Sequence, residues 1–166
     1  MKSKYIKLSF AILLACLFAW FVIPVLADAG FIITTVDNSG NGVEGLSMAL
    51  NGDGFPVISY RDMVDQDLKL AVCSNAACTT RTITIVDNNG DVGMSNSLAL
   101  NSNNYPVISY LVYAPNFDLK MAICGDVKCK SKTLTRVDSD GMVGDGSSLA
   151  LNSNDFPVIS YWDYTN

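Results

Sequence analysis

The sequence predicts an all-β fold of tandem four-stranded antiparallel units, and three observations lead there. Pro-Val-Ile-Ser-Tyr occurs three times, at Pro56–Tyr60, Pro106–Tyr110 and Pro157–Tyr161. Val-Asp recurs at Val36-Asp37, Val86-Asp87 and Val137-Asp138, so the repeat is 50 and then 51 residues long. Beyond residue 30 nothing has helical spacing, and short runs rich in Val, Ile, Leu, Thr and Tyr are bounded by Gly, Asn, Asp and Pro. A period of this length marks solenoids, propellers or arrays.

The elements follow in order. Residues 1–29 carry Lys2, Lys4 and Lys7 before an uncharged run from Leu8 to Ala27, with small residues at Val25-Leu26-Ala27 and Ala27-Asp28-Ala29. This reads as a signal helix for export. An uncleaved anchor, or lipidation at Cys16 in Leu13-Leu14-Ala15-Cys16, are the other readings. Residues 30–166 form the repeat domain: repeat 1 over 38–87, repeat 2 over 88–138 and an incomplete repeat 3 over 139–166.

In repeat 1 four strands are marked, 47–50, 56–62, 67–73 and 82–86. A strand at 31–36 precedes them as the outer strand of an earlier unit. The Asn51-Gly52-Asp53-Gly54 turn joins the first two strands and recurs at 101–104 and 152–155. The strands are apolar on both faces, as in sheets covered from both sides. Four strands in about 50 residues, so covered, make a β-propeller blade; the rival β-solenoid usually has shorter repeats.

The pattern Ser-Leu-Ala-Leu-Asn-x-x-x-aromatic-Pro-Val-Ile-Ser-Tyr, followed by Leu-Lys and Cys-x4-Cys, resembles the repeats of exported bacterial and archaeal β-propeller proteins of the broad sialidase-like and YVTN-like group. The resemblance spans residues 31–166 and implies about two and a half blades. A closed propeller needs four or more, so it implies further blades or self-association, as in lectins whose two-bladed chains trimerise. Such families include lectins, adhesins, enzymes and scaffolds, and the sialidase Asp-box is absent here.

Composition narrows the chemistry. Cleavage after Ala27 removes three lysines and no acid, leaving eight Lys+Arg against sixteen Asp+Glu and a charge of −8, which disfavours nucleic acid as a partner. Histidine is absent, and with it the commonest general base and metal ligand. Cys73 and Cys78, like Cys124 and Cys129, have four residues between them, which reads as two local disulfides in an oxidising compartment. A four-cysteine zinc site is the alternative, although its usual spacing is two.

Loops on a rigid scaffold commonly carry function. In a meander the loops after the second and fourth strands share one side, which receives segments 61–66 and 111–117 with the Gly-rich stretches 38–46, 88–97 and 139–147. The ligand-binding candidates there are Arg61, Asp62, Tyr113, Phe117, Trp162, Asp163 and Tyr164. Tyr60, Tyr110 and Tyr161 instead read as packing between blades, their hydroxyls bonded to backbone. Lys69 and Lys120 read as solvated or paired with Asp67 and Asp118.

The Asp after each Val reads as a turn cap. Calcium is a second reading through Asp87, Asn89, Asp91, Asp138, Asp140 and Asp145, although no run completes an EF-hand. A catalytic carboxylate pair at Asp62 is a third, and repeat 2 has Val112 at that place. No catalytic constellation and no obligatory cofactor emerge. The expected function is an exported, secreted or surface-bound module that presents an acidic loop face to carbohydrate or extracellular protein. The alternatives are a fragment of a propeller hydrolase or lyase, and a purely structural surface repeat.

Overall fold

The computed structural model describes residues 32–38, 42–114 and 117–165. Residues 1–29, expected from the sequence to be a signal segment, and Cys16 within them lie outside the described residues. The described chain is all-β: β1 (Val43–Leu50), β2 (Pro56–Asp62), β3 (Leu68–Cys73), β4 (Arg81–Asp87), β5 (Asp91–Leu100), β6 (Pro106–Ala114), β7 (Asp118–Cys124), β8 (Lys132–Asp138), β9 (Val143–Leu151) and β10 (Pro157–Asp163). These make three antiparallel meander sheets, β1-β2-β3-β4, β5-β6-β7-β8 and β9-β10. Each sheet falls within one repeat, and no closed barrel or ring is present among the described residues. Nor is any helix among them long and apolar enough to cross a membrane.

Local chemistry explains the repeated turns. Asn51 Oδ1 accepts from Asp53 N (3.0 Å) and Phe55 N (2.8 Å), and Asn101 and Asn152 do the same in their copies. The last turn residue has positive φ, at Gly54 (77°), Asn104 (60°) and Asp155 (61°), the residue types that tolerate it. The other short loops are pinned by disulfides Cys73–Cys78 and Cys124–Cys129, with Cα atoms 4.8 Å apart in each. Each pair closes within its own sheet, which overturns the shared zinc site. Such bonds fit an oxidising extracellular compartment.

The sheets pack face to face in sequence order, β5 against β1 and β2, and β9 against β5 and β6. Val57, Leu68, Val92, Leu98, Ile108 and Tyr110 fill the first seam, and Val107, Met121 and Leu149 the second. At about 25 cal/mol per Å² of apolar area removed from water, these side chains are the main stabilising term.

Several expectations need correction. The first strands are eight to ten residues long rather than four. Bulges let the ladder continue through the Gly-rich stretches, with positive φ at Gly45, Ser95 and Gly146. Asp91 and Asp145 therefore sit in strands, and the loop after β4 shrinks to residues 88–90. Residues 32–36 pair with no strand, since the described residues include no neighbour for them. The outer strands are also not buried on both faces: Ile83 and Ile85 in β4 face solvent.

Candidate functional site

One tyrosine laces each seam. Tyr60 Oη donates to Asp37 Oδ2 (2.6 Å), Tyr110 Oη to Asp87 Oδ2 (2.7 Å) and Tyr161 Oη to Asp138 Oδ2 (2.6 Å). The second and third bonds run from the second strand of one sheet to the end of the preceding sheet's outer strand. The Oδ1 atoms of Asp87 and Asp138 accept from Asn89 N and Asp140 N, 3.0 Å each, so one carboxylate caps a turn and holds a seam. Burial and the bond to Asp87 push the Tyr110 hydroxyl far above its ordinary pKa. These tyrosines pack as expected, but onto carboxylates rather than backbone.

The two seams differ on the loop side. At the first, Arg61 is buried at 6% exposure, its Nη1 2.5 Å from Glu44 Oε1 and its Nε and Nη2 each 2.7 Å from Asp91 Oδ1. Sequence reasoning placed Arg61 among ligand contacts, and the structure spends it on this ion triad. In the next repeat the corresponding residues are Met94 for Glu44, Leu111 for Arg61 and Met142 for Asp91. With the charges gone, an apolar cavity of about 170 Å³ opens, lined by Met94, Leu111, Tyr113, Phe117, Met142, Val143, Asp145 and Tyr164.

Three predicted residues, Tyr113, Phe117 and Tyr164, thus come together at one place. The Tyr113 and Phe117 rings meet edge to face at 4.9 Å, and Tyr164 stacks on Trp162 at 5.1 Å with planes 8° apart. Asp145 Oδ1 accepts from Ser95 Oγ (2.5 Å) and Oδ2 from Tyr164 Oη (2.9 Å). These bonds hold the Asp145 carboxyl below the usual carboxylate range, so it is an anion at the pocket wall.

A polar cleft adjoins the pocket through Phe117 and Met142, and its wall includes Asp118, Arg136 and Thr165. Asp118 is buried at 2% exposure. Its Oδ2 lies 3.0 Å from Arg136 Nε, while Oδ1 has no hydrogen-bond partner. A buried polar oxygen left so costs about 1–3 kcal/mol unless something donates to it. Sequence reasoning missed Met94, Leu111, Met142, Asp118 and Arg136. The signal that finds the first three is the loss of charge at aligned repeat positions, and Arg136 stands where the preceding repeat has Ile85.

The remaining candidates are spent on structure. Asp62 accepts from Lys69 Nζ and Val64 N (2.8 Å), and the bond from Lys69 holds its carboxyl below the usual range. Asp163 Oδ1 accepts from Thr165 N and Oγ1. Lys69 therefore pairs with Asp62 and Lys120 with Asp87 (3.1 Å), rather than with Asp67 and Asp118. Of the calcium candidates, Asp87, Asp91, Asp138 and Asp145 bond to protein donors, and Asn89 and Asp140 donate their backbone N–H to the turn caps. Among the described residues no group of three or more His, Cys, Asp or Glu could hold a metal ion. In comparison with known proteins, no family model, curated protein or solved structure matches the chain.

Proposed function

We propose that the chain is part of an exported β-propeller that binds carbohydrate in the second seam. One observation carries this reading: an aromatic-rimmed apolar pocket shares a wall with the cleft of an under-bonded buried carboxylate. A sugar ring has the matching two-sidedness. Its C–H face stacks on Tyr113, Phe117 and Tyr164, while a hydroxyl can donate to Asp118 Oδ1 and accept from Arg136. The repeat motif and three face-to-face sheets support the propeller, and the disulfides support export.

Leu111→Arg is the test, since it places in the pocket the residue that fills the first seam. On a glycan array the wild-type chain should retain a subset of sugars, and Leu111→Arg should lose at least tenfold in affinity while keeping the fold. Asp118→Asn should weaken binding less. Wild-type chain retaining no glycan, or retention indifferent to Leu111→Arg, would sink the reading.

A further inference from the structure

The charges that wall the second seam do not balance. Its pocket and the adjoining cleft carry two carboxylates, Asp145 and Asp118, and one guanidinium, Arg136. Arg136 Nε meets Asp118 Oδ2 at 3.0 Å, and Asp118 Oδ1 is left without a donor although the residue is 2% exposed. At the first seam, by contrast, a single buried guanidinium, Arg61, bonds to both of its acids, Glu44 and Asp91. The second seam therefore has an acceptor to spare where the first has none.

The second carboxylate is aimed as well as charged. Ser95 occupies a bulge position that is Gly45 in the first sheet and Gly146 in the third, and it takes the same positive φ, 45° against 57° and 58°. Side chains disfavour that conformation, which glycine adopts freely. The Ser95 hydroxyl donates to Asp145 Oδ1 (2.5 Å), a bond that neither glycine could make, and Tyr164 Oη fixes Oδ2 (2.9 Å). A serine in a glycine's place thus holds this carboxylate at the pocket wall.

We propose that the sugar taken by the second seam bears a free ammonium group, as a hexosamine does, and that Ser95 is a positioning residue for this selectivity. The inference rests on the sugar reading of that seam. The ammonium donates to Asp118 Oδ1, the acceptor without a partner, and the Asp145 carboxylate adds attraction from the pocket wall. A charged N–H donor makes a roughly twofold stronger bond to a carboxylate than a neutral hydroxyl does. N-acetylation removes the charge and adds bulk at the same atom, so one feature rejects both acetylated and plain sugars. The acidity of the whole repeat domain acts in the same direction at long range, and the test must separate the two effects.

An array of hexoses in three matched forms, with a 2-amino, 2-acetamido or 2-hydroxyl group, tests it at about pH 6, where a free amine is protonated. The wild-type chain should retain the 2-amino form about fivefold more tightly than either of the others. Asp118→Asn should bring that ratio close to one. Ser95→Gly, the residue the other sheets use, should roughly halve the ratio while leaving affinity for the 2-hydroxyl form unchanged. Arg136→Gln takes a repelling cation from the cleft and should raise the ratio; its side chain is 54% exposed, so this arm stands even where Asp118→Asn does not fold. Asp53→Asn removes the same charge from an exposed turn and should change nothing. A wild-type ratio near one, with binding still lost in Leu111→Arg, would overturn the ammonium and leave the pocket reading intact. No retention of any form would overturn both. Equal falls in Asp53→Asn and Asp118→Asn would assign the preference to net charge and overturn the proposal, and an unmoved ratio in Ser95→Gly would strike the positioning role.

Discussion

At the first seam Glu44, Arg61 and Asp91 fill the loop side with charge; at the second, Met94, Leu111 and Met142 occupy the same repeat positions and leave a cavity. The residues beneath are nearly the same in both, with Val57 and Val107, and Leu68 and Leu119, all buried. A repeat protein holds its stack with the shared set, which leaves the drifting set to acquire a site. The triad also shows why the pocket is tolerated. Exchanging a buried ion cluster for apolar side chains of similar size is often close to neutral in stability, whereas removing one member is not.

Breaking the triad at one residue should therefore have the largest effect on stability. Arg61→Leu leaves Glu44 and Asp91 facing each other without their cation and should cost about 3 kcal/mol, the low end for such pairs because Glu44 is partly exposed. The triple change Glu44→Met, Arg61→Leu, Asp91→Met should recover most of this and open a second pocket. Urea midpoints decide it; an unaltered midpoint for Arg61→Leu would show that the triad does not hold the seam.

The tyrosine bonds sharpen the comparison between interior and end. Tyr110→Phe strips a donor from buried Asp87, leaving Lys120 and the Asn89 N–H, and should cost about 1–2 kcal/mol. Tyr161→Phe removes the same bond at an exposed place and should cost less than about 0.5 kcal/mol. Equal costs would mean that seam burial adds nothing to this bond.

The smallest effect concerns Asp62, present in the first sheet and replaced by Val112 in the second. Its carboxyl is held down by Lys69, so its contribution is full above about pH 5 and fades as pH falls below the ordinary carboxylate value of about 3.9. Thermal melts between pH 5 and 2 should show a shallower acid loss in Asp62→Asn than in wild type. Parallel acid limbs would mean that Lys69 does not depress Asp62.

The repeat register, second and third strands, local disulfides and packing tyrosines were legible because each rests on composition within a few residues. The bulges were not, because Ser95 takes positive φ without being glycine, and so the Gly-rich stretches read as loops. Lysine partners were misread because strand pairing sets Lys69 opposite Tyr60, which brings its ammonium within reach of Asp62 on the neighbouring strand, a contact that local sequence does not show. The site was half legible. Tyr113, Phe117 and Tyr164 stood out as aromatics the repeat does not demand, whereas Met94, Leu111 and Met142 look like ordinary core until aligned with the triad they replace.

The tyrosine that bonds the aspartate 23 positions before it also bears on how such a chain can grow. Every repeat-length cassette of the sequence carries one tyrosine looking backward and one aspartate looking forward. An in-frame duplication or deletion of a whole repeat, wherever its breakpoints fall, leaves each tyrosine with an aspartate at the same offset. Recombination can then change the number of sheets while the clasp between neighbours stays intact, so length can evolve separately from the loop residues where the pocket lies.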